Sequence, residues 1–198
     1  ALEELEPFGA SCPRPLLYLE GMRVEQLSEV GGGKHLKLRL SRHGRMLDGI
    51  FFSTTACKAA IALGDVVEVA FSPQINEFRG LRTVQLNITD IRPSLACRQA
   101  MERERKIYAC LVGNGAKNLD WDSLIPPRRE FAAVWRYLRD NSAGGSVMDE
   151  FTVLSRKIAR SAGMPVSFVR TRICLDVLAE RGLIQLESGT HAMTIRLT

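Results

Sequence analysis

The sequence predicts two domains of different class: an all-β barrel of five strands and one helix over residues 16–93, and an α+β domain over residues 129–198. Three observations point there. Up to Pro93 the apolar residues recur with period 2, as in Val67, Val69 and Phe71 or Val84, Leu86 and Ile88, which puts one face of each strand in a core and the other in water. After Pro93 the period changes to that of amphipathic helices. The chain then closes on two short alternating runs, Ile184/Leu186 and Met193/Ile195/Leu197, set around the turn residues Ser188, Gly189 and Thr190.

Taken in order, residues 1–15 carry Pro7, Gly9, Pro13 and Pro15, which force an irregular passage; the expectation is a linker arriving from upstream domains. The first strand runs through Met22, Val24 and Leu27 and stops at Gly31, Gly32 and Gly33. Leu36, Leu38 and Leu40 then share one face of a second strand, with Lys37, Arg39 and Ser41 on the other. A short turn at Arg42, His43 and Gly44 leads into a third strand ending at Ile50, Phe51 and Phe52. The alanine-rich stretch 54–64 reads as a short helix stopped by Gly64. Two further strands follow, joined by a nine-residue loop, SPQINEFRG at 72–80, that presents Phe78 and Arg79. Three strands, a helix and two strands is the layout of an OB-fold, a partly open barrel that takes oligonucleotides across its second and third strands.

Charge favours an anionic ligand on that face. Residues 1–93 balance, with 11 Lys/Arg and 11 Asp/Glu, whereas residues 94–198 hold 16 against 11. Within the balanced half, residues 31–47 carry Lys34, Lys37, Arg39, Arg42 and Arg45 and no acid, a local basic stripe. The expected nucleic-acid contacts are Lys37, Arg39, Arg42, Arg45, Arg79 and Arg82 to phosphates, Phe51 and Phe78 as stacking rings, and Gln85 as a hydrogen-bonding group. The competing reading is that exposed strand cations only blunt an edge.

Residues 94–128 form a helical connector, with Ala96, Ala100, Ile107 and Leu111 on a common side of its helix and Pro126–Pro127 at its end. The order after it, helix, short strand, helix stopped by Gly163, helix opened by Pro165, and terminal hairpin, is that of a winged helix-turn-helix. On its third helix Thr171, Cys174, Leu175 and Leu178 face the core. Val166, Val169, Ile173 and Val177 then make an apolar stripe on the opposite side, better suited to docking a protein than to reading a duplex.

Chemistry is sparse. Cys12, Cys57, Cys97, Cys110 and Cys174 show no CxxC pair, and His35, His43 and His191 have no Cys or acid at ligand spacing, which argues against a disulfide framework or a metal site and for a reducing, cytoplasmic setting. No phosphate-loop, nucleophile-elbow or zinc-protease motif occurs, and no run of about 18 apolar residues suggests a membrane span. No catalytic residue and no cofactor are expected in this chain.

The segment LEPFG at Leu5–Gly9 with Pro13 and Pro15, and the stretch Val67–Pro93 with AFSPQINEFRG and VQLNITDIRP, resemble the OB domain of RecJ-type single-strand-specific exonucleases, over roughly the first half of the chain. Where that family usually has Gly-Asn before the proline, this chain has Ser11-Cys12. The resemblance implies a non-catalytic C-terminal fragment of a 5′→3′ nuclease of DNA repair and recombination. Its Mn2+ or Mg2+ pair and acidic motifs would lie upstream. The partners implied are single-stranded DNA, the upstream nuclease core, and a repair or single-strand-binding protein. The sequence leaves two rivals open, a protein-interaction scaffold with negligible DNA affinity and a winged-helix duplex regulator.

Overall fold

In a computed structural model, residues 14–78, 81–113, 119–142, 144–189 and 192–198 are described. They fall into two compact units, Ala1–Ser94 and Leu95–Thr198.

The first unit is a closed barrel built from β1 (Leu17–Val30), β2 (His35–Arg42), β3 (Arg45–Phe51), β4 (Val66–Phe78) and β5 (Leu81–Pro93), in the ring order β1-β2-β3-β5-β4. All neighbours are antiparallel except β3 and β5, which pair in parallel from Asp48↔Gln85 to Phe51↔Ile88. That ring is the OB topology. One long strand, β1, serves both sides of the closure: register shifts between Leu19 and Met22 and between Val24 and Gln26 bend it from β4 onto β2. The alternating residues meet inside as expected: Met22, Val24, Leu36, Leu38, Leu40, Val67, Val69, Phe71, Leu86 and Ile88 form one buried cluster.

Two local expectations are overturned. The stretch after β3 is a series of turns, not a helix. Its bonds mix spacings, Ala59 N to Thr55 O, Ala60 N to Cys57 O and Ile61 N to Ala56 O, and Ala60 sits at φ 51°, which no α-helix can continue through. The turns still do the work of a plug: Ile61 is wholly buried in the barrel cluster, and Asp65 Oδ2 accepts from Ala62 N at 2.7 Å to fix the segment beneath it. The second correction concerns 72–80. This stretch is strand, not loop, through Phe78, with Ser72↔Asn87, Ile75↔Val84 and Phe78↔Leu81 in register. The hairpin outruns the barrel wall, so Val84, expected in the core, is 51% exposed, and Ile75 opposite it is 42% exposed.

The second unit comprises α1 (Leu95–Val112), α2 (Trp121–Leu124), α3 (Arg128–Asn141), β6 (Ser146–Asp149), α4 (Phe151–Ala162), α5 (Phe168–Glu180), β7 (Ile184–Ser188) and β8 (Met193–Leu197), with a sheet ordered β6-β8-β7. Side-chain caps start the last two helices. Glu150 accepts from Thr152 N and Val153 N, and Ser167 accepts from Arg170 N. Gly163 ends α4 at φ 61°, where a left-handed residue is needed. Val134, Leu138, Leu154, Ile158, Cys174, Leu175, Ile184 and Ile195 form the core, with Thr171 and Leu178 also buried on the face of α5 expected to point inward.

The apolar stripe on α5 is corrected in part. Val166 and Val169 are core residues of the unit rather than a docking surface. Ile173 and Val177 are half-buried beside α1, the helix expected to be a connector.

Candidate nucleic-acid interface

Because β2 and β3 are joined by a two-residue turn, their register is fixed by arithmetic. Arg42 pairs with Arg45, Ser41 with Met46, Arg39 with Asp48, and Lys37 with Ile50. His43 and Gly44 take φ 49° and 75°, the left-handed pair that a tight hairpin of this twist requires. Residues of odd number on β2 and even number on β3 point away from the core, so the outer face carries Lys37, Arg39, Met46, Asp48 and Ile50. Across the adjoining strands stand Gln26 opposite Arg39, Ser28 opposite Lys37, and Gln85 opposite Asp48.

The stripe that is free of acids in sequence is therefore not free of them in space. Arg39 Nε donates to Asp48 Oδ1 at 2.8 Å and Nη2 to Oδ2 at 3.4 Å. Ser41 donates to Glu25 at 2.6 Å from the neighbouring strand. The guanidinium bonded to it holds the Asp48 carboxyl below the usual carboxylate range, against the opposing pull of desolvation. Both partners remain open to solvent, at 43% and 44% exposure, so water screens the pair and it opens readily.

The predicted contacts fall into groups rather than one line. Lys37 and Arg39 sit in mid-face with Gln26, Ser28 and Asp48, around a cleft of about 140 Å³. Arg42 and Arg45 are exposed on either side of the turn and, with His43, Leu19, Met22 and Leu47, border a second cleft of about 540 Å³ at the barrel's end. Arg82 is exposed on β5, three residues before Gln85, toward the same end as Arg45. Gln85 is half-buried between Asp48 and Gln74. Arg79 lies outside the described residues, as does the side chain of Phe78.

Phe51 is turned inward. It packs against the barrel cluster, leaving the next residue, Phe52, as the exposed ring, with His35 edge-on at 5.1 Å. Alternation from Leu47 and Gly49 assigns the two phenylalanines in that way, and it is the signal that identifies Phe52.

In the second unit the cations of α5 are occupied. Arg170 donates to Glu130 Oε1 and to the Ser123 carbonyl, both at 2.8 Å. Arg172 donates to the Tyr108 hydroxyl at 3.0 Å and pairs with Asp176 at 3.1 Å. Tyr108 in turn donates to Asp176 at 2.6 Å, and its phenol is pushed up by burial and by that carboxylate. Glu104 on α1 accepts from Val169 N, capping the helix it lies against. Ile173, Val177, Leu111, Val112, Trp121 and Ile125 border an apolar groove of about 420 Å³. Among the described residues, no three His, Cys, Asp or Glu side chains come together as a metal site, and no helix is long and apolar enough to cross a membrane.

Against known proteins, a family model describing the RecJ OB domain matches residues 1–90. The single-stranded-DNA-specific exonuclease RecJ of Salmonella typhimurium is 36% identical over 95 residues, 46% of this chain and 16% of that protein. RecJ of Bacillus subtilis is 28% identical over 87 residues, 43% of this chain and 11% of that protein. This chain thus spans only a small part of the length of these relatives. Among solved structures, RecJ of Thermus thermophilus in complex with Mg2+ is 26% identical with a TM-score of 0.36, covering 51% of this chain and 17% of that one. A small single-stranded DNA-binding protein from Streptomyces coelicolor is 15% identical with a TM-score of 0.33, covering 42% and 95%. The barrel's sequence carries the likeness: residues 1–90 match the model of the RecJ OB domain, and the relatives found overlap this half of the chain.

Proposed function

We propose that the barrel binds single-stranded DNA across the outer face of β1, β2, β3 and β5 and around the β2–β3 turn, and delivers the strand to a nuclease core elsewhere in the same protein. The observation that carries this reading is the grouping of Lys37, Arg39, Arg42, Arg45 and Arg82 on one side and one end of a barrel that matches the RecJ OB-domain model. Cations there neutralise phosphates, and Phe52, with His35 beside it, offers a ring for a base. The relatives named above are single-stranded-DNA-specific exonucleases. In this reading the 5′→3′ hydrolysis, with its Mn2+ or Mg2+ pair, belongs to the core, and the barrel contributes grip.

The second unit, in the same proposal, is a winged helix-turn-helix that docks a protein: the nuclease core, or a repair or single-strand-binding protein. Its element order supports that fold, and α5 stands where a duplex reader places its recognition helix. The engagement of Arg170 and Arg172 within the unit, with α1 lying along α5, favours docking over duplex reading.

The test is fluorescence anisotropy with a labelled single strand and its duplex at several salt concentrations. The expected result is preference for the single strand and a steep salt dependence. Replacing Arg42 and Arg45 with alanine is expected to flatten the slope of log K against log salt by about 1.4, roughly 0.7 for each phosphate that is no longer neutralised. A folded protein that binds neither probe would move the whole chain into the docking class.

A further inference from the structure

The middle of the barrel's outer face is built unlike a sequence-tolerant strand binder. Such surfaces hold bases by stacking on rings, which every base accepts alike. Here the cleft between β1, β2 and β3 is bordered by Gln26, Ser28, Lys37, Arg39 and Asp48, every one a hydrogen-bonding side chain, with Leu38 beneath and no ring among the described residues. Gln85 stands opposite Asp48 from β5, and Ile50 opposite Lys37. A carboxylate amid phosphate-binding cations repels the backbone and occupies Arg39, so on a surface that only gripped phosphates it would be a liability. It becomes an asset where base amino groups must be recognised, because an ionised carboxylate accepts and never donates.

We infer that this cleft reads the edge of an unpaired base and selects guanine; the inference rests on the single-strand reading above. The Watson–Crick edge of guanine presents two adjacent donors, N1–H and N2–H, beside the acceptor O6. Asp48 takes the donors and Lys37 supplies the ammonium to O6, while the Arg39 guanidinium holds the carboxylate in place from the side. Thymine is the base rejected: its one donor, N3–H, is flanked by two carbonyl oxygens that face the carboxylate. Adenine and cytosine, each with one amino group, fall between.

The test uses the full chain and three labelled oligonucleotides of one length at a single salt concentration: oligo(dT), the same strand with isolated dG at every fourth position, and that strand with deoxyinosine in place of dG. Spaced guanines avoid quadruplexes, and inosine removes only the N2 amino group. The expected order is dG tightest, by about fivefold over oligo(dT), the low end of what a good base-edge pair discriminates and fitting for a solvent-exposed site. Inosine lies between the two. Asp48→Asn is expected to erase the guanine advantage and, by releasing Arg39 and removing a negative charge, to raise oligo(dT) affinity, so that the strands with and without guanine converge. Equal binding of the three strands by the unaltered protein overturns the inference, independently of any variant. So does an Asp48→Asn protein that binds all three more tightly by one factor, which would make Asp48 only a competitor for Arg39. If no strand binds, the single-strand reading itself fails; binding without preference sinks the base reading alone.

Discussion

Glu130 is buried in the first turn of α3, where Oε1 accepts from Arg170 and Oε2 has no hydrogen-bond partner among the described residues. A carboxylate so placed is tolerable only while its counter-charge stays. Arg170→Met is therefore expected to destabilise the second unit by about 2–4 kcal/mol in urea unfolding, and adding Glu130→Gln to recover part of the loss. Two other groups, one buried and one half-buried, set an alkaline limit. Burial pushes the Cys174 thiol and the Tyr137 phenol each up to about 12. Their folded values are raised, so the unfolded chain ionises first: the stability they contribute is complete at neutral pH and is lost as pH climbs from about 9 toward 12. Unfolding midpoints measured at pH 8 and pH 10.5 check this, the expectation being a lower midpoint at the higher pH and a smaller drop in Cys174→Ala. For single side chains the sequence was informative wherever one strand sufficed. Leu36, Leu38 and Leu40 point inward as alternation demands, but Arg39 was read without its cross-strand neighbour. The neighbour was within reach: if Arg42 and Arg45 close a two-residue turn, counting back three places on each side sets Arg39 against Asp48.

The closing strand pair shows how an element depends on one small residue. Gly49 is buried where β3 meets β5, and a methyl group there would lie 2.8 Å from Ile88 Cδ1 and 3.5 Å from the Leu86 carbonyl oxygen. Ile88 is itself buried and has nowhere to swing. Gly49→Ala is expected to cost about 1–3 kcal/mol by thermal unfolding, with Ile88→Val returning part of it. The strands were legible because a half-buried strand writes period 2 into its sequence. The plug over 54–65 was not, since alanine-rich composition favours helix locally while its turns answer to the barrel mouth that Ile61 fills. The α5 stripe misled for a related reason: apolar residues on two faces mean two neighbours, and the second neighbour, α1, is distant in sequence.

Each unit of the protein has its own apolar cluster, so each is expected to fold alone. Fragments 14–94 and 95–198, produced separately, should each give a cooperative unfolding curve. A fragment beginning at 119 lacks the Glu104 cap and the Tyr108–Asp176 bond and should unfold at lower denaturant than one beginning at 95. The two-part plan was legible in the switch of hydrophobic period at Pro93, whereas the membership of α1 was hidden because none of its side chains is fully buried and its hydrogen bonds to α5 are made by Glu104 and Tyr108, which leave no apolar signature. The ring closure of the barrel has a further consequence, for change of length. One residue inserted into β1 would slip half the ring and turn its leucines and valines to water. The β4–β5 hairpin is under no such constraint beyond Gln85, where the pairing of β5 with β3 ends. Residues added there two by two, one on each strand, would lengthen the arm and leave the barrel as it is, so reach is the dimension along which this fold can vary freely.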